Sequence, residues 1–97
     1  MAEPTNNSQY LTVTLSEVSG VKVVVSNLAE SVIPRQISYH FEGIGNIRNV
    51  RMLSKGVAEI VFACWESAEK AIEIYDMTPF WDGKLMKLRI DGVHFPS

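Results

Sequence analysis

Arg51, Lys55, Lys87 and Arg89 are the residues of this chain best placed for chemistry, and the chemistry open to them is contact with phosphate. They lie in or beside two stretches where apolar residues recur at alternate positions, so strands would carry them on one surface. Little points to catalysis. His40 and His94 stand apart from any carboxylate or cysteine set, and each reads as an ordinary surface residue. Cys64 is the one cysteine, and no base or cation beside it in sequence would activate a thiolate. A lone cysteine also excludes an internal disulfide and a thiolate cluster for zinc. Asn27 to Arg35, which follows an apolar run, has no glycine and one arginine, so it lacks the cradle that grips phosphate in phosphate-cleaving sites. No catalytic residue, metal site or cofactor is expected.

Composition bounds the rest. The chain has 97 residues, 46% of them apolar and 21% charged, which suits one compact domain. Nine Lys/Arg against eleven Asp/Glu give a net charge of −2, where a dedicated nucleic-acid domain usually carries a basic excess. The longest apolar runs are far too short to span a membrane, and no signal-peptide core stands at the N-terminus. The expectation is an intracellular protein, nuclear or cytoplasmic, with no membrane partner.

The elements that must position these residues follow from periodicity. Residues 1–20 form a polar lead-in, within which Leu11, Val13 and Leu15 alternate with Thr12, Thr14 and Ser16 as a possible extra strand over 10–16. Val21 to Ser26 reads as the first core strand. Ile33, Ile37 and Phe41 share one helical face between Ser31 and Glu42, with Ser31 placed to cap and Pro34 in the first turn. Ile47 to Leu53 is a second strand with Ile47, Val50 and Met52 inward and Arg51 and Leu53 outward. Ser54-Lys55-Gly56 then turns into a third strand, where Ala58, Ile60 and Phe62 share one face and Val57, Glu59 and Val61 the other. Ala68, Ala71, Ile72 and Tyr75 mark a second amphipathic helix whose cap position is Cys64. Lys84 to Ile90 is a last strand, and 92–97 is a tail. The order gives an α+β domain over 21–91. It is the split βαβ, ferredoxin-like βαββαβ sandwich, a four-stranded antiparallel sheet with both helices on one face.

Order and spacing together resemble an RNA-recognition motif from about Lys22 to Ile90. Val23-Val24-Val25-Ser26-Asn27-Leu28 is similar to the family's first short motif. Lys55-Gly56-Val57-Ala58-Glu59-Ile60-Val61-Phe62 is similar to the second, and Asp82-Gly83-Lys84 to its last turn. Among subtypes the chain most resembles the messenger-export adaptors, whose first motif is non-aromatic and whose third strand is small and acidic. The resemblance implies that aromatic rings at the places of Val24, Val57 and Glu59 would stack on RNA bases. None is present, and each ring contributes about 1–3 kcal/mol per base.

Two surfaces are therefore expected to meet another protein, whether a second domain of this fold, a second copy of the chain or a different partner. The first is the sheet face, with Val24, Val57, Val61 and Leu53 at its centre and Arg51, Glu59, Lys87 and Arg89 around them. The second is helical, carried by Tyr39, Trp65, Ile74 and Phe80. Val93, His94 and Phe95 are an alternative cover for the sheet face. The competing expectation is weak single-stranded RNA binding, with phosphate contacts from Arg51, Lys55, Lys87 and Arg89.

Overall fold

The computed structural model describes residues 20–94. Its elements are β1 (Gly20–Ser26), α1 (Pro34–Phe41), β2 (Ile47–Ser54), β3 (Val57–Phe62), α2 (Trp65–Tyr75) and β4 (Lys87–His94). They form one antiparallel sheet in the order β2-β3-β1-β4, with the two helices packed on one face. This is the expected βαββαβ arrangement.

Alternation along the strands decides what is buried. Val21, Val23 and Val25 from β1 join Ala58, Ile60 and Phe62 from β3 beneath Ile37 and Phe41 of α1 and Ala68 and Ala71 of α2. Each large side chain in that core contributes about 1.5–3 kcal/mol by leaving water. Phe80 and Met86, from the connection between α2 and β4, complete it.

The first helix starts later than its sequence suggests. Ser31 sits in a turn, and the N-cap is Ile33, which has no side-chain acceptor. Instead the Ile33 backbone N–H donates to Gln36 Oε1 at 3.0 Å, and Pro34 opens the helix where a missing N–H costs nothing. Cys64 caps α2 as expected, without a side-chain hydrogen bond to the backbone.

β2 keeps Ile47, Val50 and Met52 against the core, but its register against β3 shifts between Ile47 and Asn49. Two residues, Arg48 and Asn49, therefore stand between inward-facing neighbours, as in a bulge that re-aims a side chain. The last strand also differs from expectation. It begins at Lys87 rather than Lys84, because Pro79 and Leu85 first form a separate bridge. It then runs on to His94, pairing Val93 with Val21 and His94 with Gly20. Val93 and His94 thus extend the sheet instead of folding back over it. Phe95 and the expected strand over 10–16 lie outside the described residues.

The turns are held by specific bonds. Gly56, between β2 and β3, has φ +76°, and its carbonyl accepts from the Leu28 N–H at 3.0 Å. Asp82 clamps two loops, its carboxylate accepting from the Ala29 N–H at 3.0 Å and the Lys84 N–H at 2.9 Å. Asn27, at φ 65°, donates through Nδ2 to the Leu85 carbonyl at 2.8 Å.

Candidate interaction surfaces

The sheet face away from the helices is ordered in rows set by strand register. Across its middle run Arg51 of β2, Glu59 of β3, Val24 of β1 and Arg89 of β4. On one side lie Asn49, Val61 and Lys22; on the other Val57 pairs with Ser54 while Ser26 pairs with Lys87. The positions where an RNA-binding relative would present rings are therefore together at the centre, as the sequence motifs imply.

Their exposure is the surprise. Val24, Glu59 and Val61 are 4%, 4% and 2% exposed, so these three present almost no area to a partner. Val57 is half-buried, and Leu53, at 44%, is the open apolar side chain on this side. Glu59 needs a partner to be buried at all. It has one in Arg51, whose Nε donates to Glu59 Oε1 at 3.0 Å.

Cations surround this closed centre. Lys22, Arg51, Lys87 and Arg89 alternate onto the face, and Arg89 Nη1 also bonds Asp91 Oδ1 at 2.8 Å. Arg48 joins them, its Cδ standing 3.6 Å from where a Cβ on Gly20 would be, over the start of β1. Sequence reasoning missed Lys22 and Arg48. Strict alternation from Lys22 through Ser26 would have found the first, but the bulge in β2 hides the second. Lys55 lies in the β2–β3 turn, 3.9 Å from Glu30 and well exposed.

The helical side is the opposite in character. Tyr39 is 66% exposed, Trp65 49%, Trp81 54% and Ile74 45%. Phe80, expected among them, is buried at 4% and belongs to the core. It supports the exposed ring beside it: Phe80 and Trp81 stack with centroids 5.2 Å apart, and Trp81 meets Tyr39 edge-on at 6.1 Å. His40 fills the space beneath, 4.9 Å from both Tyr75 and Phe80. Its Nε2 is buried without a hydrogen-bond partner, and burial lowers its pKa below the ordinary 6.5. On the far side of α1, Pro34, Arg35 and Ser38 wall a shallow groove along Ile47 to Val50 of β2.

Among the described residues no group of three or more His, Cys, Asp or Glu could hold a metal ion. No described helix is long and apolar enough to cross a membrane.

Comparison with known proteins agrees with this architecture. The RRM domain of S. pombe Puf1 superposes with a TM-score of 0.73 at 22% identity, covering 81% of this chain and 98% of that one. The first two RRM domains of the yeast poly(U)-binding protein Pub1 match with a TM-score of 0.70 at 12% identity, over 78% of this chain and 49% of that one. The Sex-lethal RNA recognition domains 1 and 2 from Drosophila melanogaster match at 0.68 and 20%, over 73% and 49%. No curated protein sequence matches. The sequence model of the RNA recognition motif matches residues 23–84, most of the sheet and both helices, and the chain belongs to that family.

Proposed function

We propose that this domain works chiefly as a protein-binding module, a scaffold or adaptor within an RNA-handling assembly. The observation that carries this reading is where the exposed rings are. At the three stacking positions stand Val24, Val57 and Glu59, the last neutralised by Arg51, while Tyr39, Trp65 and Trp81 are open on the helical side. Large aromatic side chains exposed to water are the usual anchors of protein interfaces. The RNA-handling context comes from the family, and the non-aromatic first motif with the small-acidic Ala58-Glu59 of β3, which resembles that of messenger-export adaptors, favours an adaptor role.

A second reading rests on a separate observation. Among the described residues, Lys22, Arg48, Arg51, Lys87 and Arg89 place five cations on the sheet side against the carboxylates of Glu59 and Asp91, although the whole chain carries −2. Such a surface suits the phosphates of single-stranded RNA, held weakly and without ring stacking.

Light scattering over a concentration series, with and without a mixed-sequence single-stranded RNA at physiological salt, separates the two. A dimer, or a monomer whose mass ignores RNA, supports protein binding. A monomer whose mass rises with RNA, and no longer does so after Lys87→Glu with Arg89→Glu, makes RNA contact the main task.

A further inference from the structure

The exposed pair Tyr39 and Trp81 has a geometry that narrows what it binds. The rings meet at 68° with centroids 6.1 Å apart, an L-shaped corner with both walls open to solvent. The corner is prebuilt. Trp81 lies on buried Phe80, nearly parallel at 15°, and Asp82 pins the following turn to Ala29. Tyr39 is held on the last turn of α1.

The polar atoms of the corner are the hydroxyl of Tyr39 and the indole N–H of Trp81, and among the described residues neither is hydrogen-bonded. An indole only donates, and a phenol donates readily. A surface of ring faces and donors fits a ligand that offers apolar rings and acceptors. A proline-rich segment is that ligand, because proline has a carbonyl and no N–H, and its polyproline II backbone leaves every carbonyl free. It also loses little conformational freedom on docking, so a small aromatic corner can hold it.

We infer that Tyr39 and Trp81 form a docking site for a proline-rich segment of a partner protein. The inference rests on the protein-binding reading and names its partner class. Nucleobases also stack on exposed rings, but the two walls are crossed rather than parallel, and the cluster of Lys22, Arg48, Arg51, Lys87 and Arg89 lies on the opposite face of the sheet.

The test is calorimetric titration of the 97-residue chain with a synthetic peptide of Pro-x-x-Pro repeats, a Gly-Ser peptide of equal length and a single-stranded RNA. Saturable binding of the proline-rich peptide alone is expected. Tyr39→Ala, an exposed change to the best helix former, should weaken it about tenfold, and Tyr39→Phe should cost less because only the hydroxyl goes. Trp81→Phe, which keeps a ring on Phe80, should also weaken it, with thermal melts confirming that all three variants fold. Failure of the peptide to bind, equal binding of the Gly-Ser peptide, indifference to the three substitutions, or displacement by RNA would each overturn the inference. The adaptor reading fails on different data: it falls if the light-scattering series shows RNA-dependent assembly, whatever the peptide does.

Discussion

Arg51 and Glu59 face each other across β2 and β3, and the 3.0 Å bond between them closes the centre of the surface where the family normally stacks bases. The glutamate side chain is 5% exposed and the arginine 62%, so the pair is half inside and half out. Removing the arginine alone strands a buried carboxylate. Arg51→Ala should therefore destabilise by about 1–3 kcal/mol, whereas Arg51→Ala with Glu59→Val should recover most of that loss. Urea unfolding of the two variants and the parent checks this, and equal losses in both would mean that the bond matters little.

A ring restored on this face tests whether RNA crosses it. Val57 is half-buried with Ser54 opposite, leaving a larger side chain a way out to solvent. Val57→Phe should tighten single-stranded RNA binding by about 1–3 kcal/mol if a base passes over β3. Unchanged affinity in a fluorescence anisotropy titration would place the RNA path elsewhere. Val24→Asp is a poor probe of the same surface, since Val24 is 4% exposed and a charge there would unfold the sheet.

His40 makes stability depend on pH. Burial holds its pKa below 6.5, so the unfolded chain binds a proton in a range where the folded chain does not. Stability should fall as pH drops below 6.5 and level off once pH passes the lowered folded value. His40→Phe keeps a ring between Tyr75 and Phe80, removes the unpaired Nε2, and should flatten this dependence and raise stability at the acidic end. Chemical melts on either side of pH 6.5 decide it.

Two backbone positions should respond in opposite directions. Gly56 sits at φ +76°, and a Cβ there would stand 2.6 Å from the Leu28 carbonyl oxygen, so Gly56→Ala should cost more than about 1 kcal/mol. Met77 is at φ 63°, exposed, just after α2, and Met77→Gly should stabilise by about 0.5–1 kcal/mol. Thermal unfolding of the pair shows whether the left-handed backbone governs both.

Asp82 ties the loop that carries Trp81 to the loop after β1. Asp82→Ala removes two accepted hydrogen bonds and should cost about 1–2 kcal/mol. Because Trp81 precedes it, the indole emission should also shift in a Trp65→Phe background. A stable variant with unchanged emission would show that Phe80 alone fixes the ring.

Much of the fold was legible because it depends on local periodicity. The inward sets Ala58, Ile60, Phe62 and Ala68, Ala71 follow from spacings of two and of three to four, and the structure buries all of them. Gly56 and Asp82-Gly83 announced their turns by residue type. The start of α1 was misread because Ser31 is a good cap in sequence, while the chain caps instead through Gln36 and Pro34. β4 was misplaced because Pro79 and Leu85 form a bridge between distant positions, which no local pattern records.

The sequence by itself determined the order of elements, the side of each strand that enters the core, and the absence of rings at Val24, Val57 and Glu59. Each of these depends on residue type and on neighbours a few positions away. Only the tertiary structure decided that Val24, Glu59 and Val61 are shielded, that a bulge turns Arg48 onto the sheet face, and that Phe80 is buried while Trp81 is open. Exposure is set by what other strands and loops place alongside a residue, and those neighbours come from far along the chain.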